Sequence, residues 1–274
     1  MPRLIILILL FFCSVNLLHS KSPSESAFSE TLNEEYDQEY FLKLRSVNDV
    51  ILAAEEKFGS ERKKDLAYFN YIAEIMRKRF YHGYSHYSFE QNALAKISGL
   101  VWNDLSAIVI PDDIMKFPMA ACSQQAIVMV EIFRRLNIPF RHIGLPGHYV
   151  VEAFIDNEWR YFDTNKEPNI QHNRRSFHSL IASSEFDSAY IKKSVDPLLL
   201  DQWKNKFFYG AINEKPAPNA SKLHIIGYGL QSKYYVMFLF IVIVIPFWLR
   251  RRNKKRNAEK SSWTRKYQDA YWKS

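Results

Sequence analysis

The chain predicts an α+β domain followed by one C-terminal transmembrane helix. Three observations carry that expectation. Apolar residues recur at three- and four-residue steps in several stretches between Glu39 and Leu136, the spacing of amphipathic helices. Three strand-like runs, Pro139–Leu145, His148–Ile155 and Glu158–Asp163, follow directly. Much later an uncharged run, Tyr234–Leu249, ends against Arg250, Arg251, Arg252, Lys254, Lys255 and Arg256. That is the pattern of a membrane span with cytoplasmic cations behind it.

Taken in order, Arg3 and the apolar stretch Leu4–Leu18 give residues 1–20 the charge-then-apolar layout of a signal peptide. An uncleaved anchor is the alternative, because Leu18-His19-Ser20 is a mediocre cleavage context. Residues 21–38 are Ser- and Glu-rich without periodicity and read as a solvated linker. Phe41, Leu42, Leu44, Val47, Val50, Ile51 and Ala54 then mark a first helix. A second is expected over Lys64–Phe80 and a third from Glu90 to about Asp104. Ala126, Met129, Val130, Phe133 and Leu136 place one apolar face on a helix beginning at Cys122. Pro118 precedes it, and Asn137-Ile138-Pro139 ends it. The domain spans 39–210. Pro216, Pro218 and Asn219 mark a juxtamembrane stalk, 211–232, with a glycosylation sequon at Asn219-Ala220-Ser221 that matters only in a eukaryotic host. A transmembrane helix at 233–249 and a basic cytoplasmic tail at 250–274 complete the chain. A buried core helix is the other reading of the apolar run, and the block of cations behind it argues against that.

The net charge of +8 is local. Ten of the 37 basic and two of the 29 acidic residues lie from Arg250 onward, which leaves 27 of each elsewhere. The positive charge therefore reports topology and contact with membrane lipid, with no sign of nucleic-acid binding. Cations stay inside, so the expected arrangement is a single-pass cell-membrane protein with its domain extracytoplasmic and its tail cytoplasmic.

Of two cysteines, Cys13 lies in the leader, so a processed chain keeps Cys122 alone. A lone thiol in an exported domain has no internal disulfide partner. It is either a small buried hydrophobe or a nucleophile. Its position in the first turn of a helix favours the nucleophile, because the helix dipole stabilises a thiolate and free N–H groups can bind an oxyanion.

Asp156-Asn157 reads as the turn of a hairpin between the last two strands. A loop of two or four residues centred there pairs Val150 with Asp163 and sets His148 diagonal to that carboxylate. Diagonal partners lie about 7–8 Å apart at the backbone, within reach of an imidazole–carboxylate bond. Cys122, His148 and Asp163 thus supply a thiol, an imidazole and a carboxylate in the order an activated-thiol site needs. A three-residue loop would shift this register.

These residues resemble the transglutaminase-like superfamily. The family pattern joins a Cys-bearing helix to GH-x-x-x-E and a later W-x-x-x-D. This chain reads Ala121-Cys122-Ser123-Gln124-Gln125, then Gly147-His148-Tyr149-Val150-Val151-Glu152, then Trp159-Arg160-Tyr161-Phe162-Asp163. The resemblance implies a papain-like core, with N-terminal helices and the Cys-bearing helix packed on an antiparallel sheet. It assigns Cys122 as nucleophile, His148 as base and acid, and Asp163 as the orienting carboxylate. The implied activity is cleavage of peptide or isopeptide amides through a thioester acyl-enzyme, on a peptide or protein substrate. A transamidase or crosslinker, and a non-catalytic binding module of the same fold, are the alternatives. Ala120 and Val150 stand where family members often carry Gly and an aromatic, and no acidic loop resembles the family's calcium sites.

No cofactor and no metal are expected. His142, His148, His172 and His178 match no common zinc spacing. Trp102 or Asn103 is the candidate oxyanion donor, against the reading of a core Trp and a helix-end Asn. Gln124 and Gln125 are expected on the helix surface, Arg174 and Arg175 in solvent. Tyr81–Tyr87, with His82 and His86, is expected as a loop packed on the domain, with a substrate-groove wall as the alternative.

Overall fold

The computed structural model describes residues 35–60, 65–166, 175–231, 244–254 and 256. The signal peptide, nearly all of the linker, His172, Arg174, positions 233–243 of the expected span and most of the expected cytoplasmic tail lie outside them. Among the described residues no helix is long and apolar enough to cross a membrane.

The fold is α+β around a four-stranded antiparallel sheet, ordered β3-β2-β1-β4. Its strands are β1 (Phe140–Leu145), β2 (His148–Ile155), β3 (Glu158–Phe162) and β4 (Phe208–Tyr209). Two-residue turns set the register. Asp156 and Asn157 both take positive φ, at 52° and 61°, the geometry that matches the twist of a tight hairpin. Ile155 therefore pairs with Glu158 and Val151 with Phe162, the register expected from the sequence. Pro146-Gly147 joins β1 to β2, with Gly147 at φ 68° where a side chain would be strained.

The first helical stretch is two helices, α1 (Gln38–Lys43) and α2 (Val47–Phe58). Ser46 divides them as an N-cap in a reciprocal capping box with Asp49. α3 (Leu66–Arg79) matches the second expected helix. The third is broken: α4 (Ala93–Ser98) stops at Gly99, and a separate 3-10 turn covers Asn103–Ser106. After the short α5 (Pro111–Ile114), α6 (Cys122–Arg135) ends as expected, with Asn137 at φ 56°.

Both faces of the sheet are covered. Val151, Ala153, Ile155 and Phe162 pack with α2, α3 and α6 in the larger core. Ile143, Leu145, Val150 and Tyr161 point the other way. They meet α7 (Phe177–Ile181), α8 (Ser184–Ile191) and α9 (Pro197–Asn205) through Phe177, Leu180, Phe186, Tyr190 and Trp203. The region of the expected stalk also contains structure. α10 (Pro218–Gln231) packs against α4, where Asn92 Nδ2 donates to His224 O and His224 bonds Leu105 O, each at 2.9 Å.

Candidate active site

Local structure at Cys122 begins with the cap. Cys122 is the first residue of α6 and is half-buried. The N-cap is Ala121, which carries no side-chain acceptor. A Ser or Asp there would occupy the first N–H groups of the helix. With Ala they remain available to an anion, reinforced by the helix dipole.

Gln124 does the holding that the cap does not. Its Oε1 accepts from Ala121 N at 3.2 Å and from Ser85 N at 3.0 Å. Its Nε2 donates to Ser85 O and Ile108 O, both at 2.8 Å. Gln125 Nε2 donates to Ala120 O at 2.9 Å. Both side chains are 1% exposed, so their expected place on the helix surface is overturned. The apolar periodicity predicts a single stripe, but every residue from Gln124 to Val130 is buried.

The Tyr81–Tyr87 segment is laid against this corner. Tyr81 N donates to Pro118 O and Ala120 N donates to Tyr81 O, each at 3.1 Å. Buried Arg79 ties the same approach to the core, donating to Leu44 O at 2.7 Å, Phe117 O at 2.8 Å and Met115 O. The segment is thus packed on the domain and also flanks the loop that delivers Cys122. His82 Nδ1 meets Asn165 Nδ2 at 3.0 Å, beside the Asp163 turn. A shallow polar pocket lined by Glu35, Arg77, His82, Thr164 and Lys193 borders that turn without including Cys122 or His148.

His148 opens β2 and Asp163 follows β3, so the hairpin register brings them to one face. His148 Nε2 lies 2.7 Å from Asp163 Oδ2, with both side chains almost wholly buried. Cys122 is the second group that favours the charged form of the ring. Burial alone would lower the ring's pKa; the Asp163 carboxylate, with help from Cys122, outweighs it and raises it to about 9. Burial pushes the Asp163 pKa up, but His148, Lys166 N–H and Tyr190 together hold it below the usual value.

The groups that fix these two residues come from the turn after β3 and from the second face. Asp163 Oδ1 accepts from Asn165 N at 3.1 Å and Lys166 N at 2.9 Å. Its Oδ2 accepts from Tyr190 OH at 2.8 Å as well as from His148. Tyr190 OH also hydrogen-bonds Tyr161 OH. The Trp203 ring stacks on His148, centroids 5.0 Å apart and 16° from parallel, and its Nε1 donates to Pro146 O at 2.9 Å. Tyr190 and Trp203 sit on α8 and α9, with no motif to mark them in the sequence. Glu152 is fully buried. It accepts from Arg141 at 2.6 Å and from Phe177 N at 2.5 Å, which ties the start of α7 to the sheet.

Trp102 is 71% exposed, which overturns the expectation of a core Trp. Asn103 opens the 3-10 turn. Among the described residues neither hydrogen-bonds the Cys122–His148–Asp163 group. Arg175 is paired with exposed Glu185 at 3.2 Å. His142 stacks on Tyr149, centroids 5.2 Å apart. Among the described residues no His, Cys, Asp and Glu group has the makings of a metal site.

No protein-family model matches the chain, and no curated protein or solved structure matches it significantly.

Proposed function

We propose that this protein is a membrane-anchored thiol enzyme of the transglutaminase-like type, with its domain outside the cytoplasm. The observation that carries the reading is the 2.7 Å bond between His148 and Asp163, on a buried imidazole whose charged form Cys122 also favours. A buried structural thiol has no use for a charged, oriented imidazole at its side.

The sulfur attacks an amide carbonyl carbon as the thiolate, charge-paired with the His148 imidazolium. The C–O π pair moves onto oxygen, where the open N–H groups at the start of α6 meet it. His148 gives its proton to the leaving nitrogen, the C–N bond breaks, and an amine departs from a thioester on Cys122. Water then attacks the thioester; neutral His148 takes its proton, and the acid and the thiol are released. Asp163 holds the ring and stabilises its charged form throughout. Peptide or isopeptide hydrolysis is the first reading; transfer to a second amine differs only in the nucleophile that resolves the thioester.

Two experiments test this. The purified chain is treated with an electrophilic amide probe, and the modified residue is mapped by mass spectrometry. Labelling at Cys122 that is lost in His148→Ala supports the mechanism; a thiol inert in the native protein and reactive only after denaturation refutes it. Protease added to intact cells should digest the domain and spare the 250–274 tail. A protected domain would refute export.

A further inference from the structure

α10 carries its apolar side chains on the outside. Its inner face is accounted for: His224 and Gly227 are buried against α4, and a Cβ at Gly227 would sit 2.1 Å from Asn92 Oδ1, so the two elements are in close contact. A helix docked on a protein normally turns polar residues outward. Here Ile225, Ile226 and Leu230 are 60%, 56% and 50% exposed, and Lys222 is the helix's one Lys, Arg, Asp or Glu. The neighbouring α4 leads into Leu100, Val101 and Trp102, which are 82%, 74% and 71% exposed. Large apolar side chains left bare on two touching elements mark an interaction surface.

What lies against it follows from where the chain goes next. α10 ends at Gln231, and the uncharged run Tyr234–Leu249 begins three residues later. Three residues span at most about 10 Å. If that run enters the bilayer, the C-terminal end of α10 is held at the headgroup layer whatever the linker does. Surfaces beside it then face lipid rather than bulk water. Trp102 has the amphipathic ring that settles at such an interface.

We propose that the α10 outer face and the Leu100-Val101-Trp102 loop form a bilayer-docking surface, which lays the domain on the membrane to which the chain is anchored. The inference rests on the anchor reading of Tyr234–Leu249. It adds that the domain is not held off the membrane on a free stalk, and it brings the elements next to Tyr87 and Ser106 close to lipid.

The test uses the full-length chain in nanodiscs of phosphatidylcholine brominated near the headgroup end of the acyl chains, against unbrominated discs. Emission from one Trp is obtained by subtracting a variant: W102F reports the surface and W248F reports the anchor. Trp102 is exposed, so its replacement leaves the fold intact. Quenching of both residues is expected. Quenching of Trp248 without Trp102 leaves the anchor standing and overturns the docking surface. Quenching of neither overturns both. Quenching of Trp102 alone removes the anchor and overturns the proposal as stated, leaving a loop that meets lipid without it. If Trp102 escapes the bromines and is also shielded from acrylamide, a second copy covers the loop, and the docking proposal falls.

Discussion

The two faces of the sheet are built differently. The larger core is apolar wherever it touches the strands: Phe69, Phe133 and Phe162 meet ring to ring at 5.4 and 5.6 Å, with Val151, Ala153 and Ile155 alongside. Nothing there can orient a charged group. The second core is aromatic and hydroxylated, and its polar atoms converge on Asp163 and His148 through Tyr190, Tyr161 and Trp203. One face therefore fixes where the thiol is, and the other fixes what the imidazole does. If that division is right, damage to each side has a different signature. Changes at the α6 corner cost rate by moving or removing the nucleophile. Changes on the second face cost rate through the His148 pKa.

The largest effect is expected for Cys122→Ala. Turnover of any amide substrate should fall to background, while thermal stability stays close to that of the native protein, because the residue is small and sits at a helix end. Differential scanning calorimetry beside an activity assay reads both. An unfolded variant would mean that the thiol is a packing residue and the mechanism is wrong.

Asp163→Ala comes next. Loss of its charge should slow the reaction by up to about 10⁴-fold, as removal of an orienting carboxylate does in other triads. It should also bring the His148 pKa down from about 9, because burial, which lowers it, is then opposed by Cys122 alone. The native protein should give the matching pH profile: activity is expected to fall as pH rises through about 9, where His148 loses the proton owed to the leaving amine. The same group contributes to stability, since its folded pKa lies above the ordinary imidazole value of 6.5. That contribution is full below about 6.5 and is lost as pH rises through about 9. NMR titration of His148 in the two proteins separates the cases. Identical curves would show that the side chains do not interact in solution.

The readable part of the chain was the part whose chemistry is local. The β2–β3 register was legible from Asp156-Asn157 on the condition of a loop with an even number of residues, and the two-residue turn at positive φ meets that condition. The place of Cys122 was legible from Pro118 and the helical period. Gln124 was not: a polar residue in a helix reads as surface, and only the three segments that meet at its side chain bury it. Tyr190 and Trp203 were illegible for the same reason. Their helices are short, and their roles come from contacts with residues far away in the chain. α10 reads as a stalk in the sequence because Pro216, Pro218 and Asn219 cluster at its start.

Gln124→Leu should break the α6 corner without touching the imidazole. It leaves the Ser85 and Ala121 N–H groups and the Ser85 and Ile108 carbonyls without this partner. Buried groups left unsatisfied cost about 1–3 kcal/mol each, so a lower melting temperature is expected. The rate should fall while the alkaline limb of the pH profile stays near 9. A shift of that limb would show that the two faces are not independent.

Tyr190→Phe is the mildest change and sharpens the comparison most. It deletes one hydroxyl and keeps the ring that packs on Trp203 and Phe186. That hydroxyl donates to the same Asp163 oxygen that receives His148. Without it the carboxylate has one donor fewer, becomes more basic and attracts the imidazolium proton more strongly. The His148 pKa should therefore rise above about 9, opposite in sign to the effect of Asp163→Ala. A neutral-acceptor hydrogen bond is worth about 1 kcal/mol and one to a charged group about 1.5–3 kcal/mol, which bounds the loss in stability. The rate should fall by roughly tenfold, the equivalent of about 1.4 kcal/mol, since the geometry is loosened rather than removed. The deciding readout is the direction of the pKa change. A purely structural tyrosine would lower stability and rate with the His148 titration unmoved, and the second face would then be a cover for the candidate site and not part of its tuning.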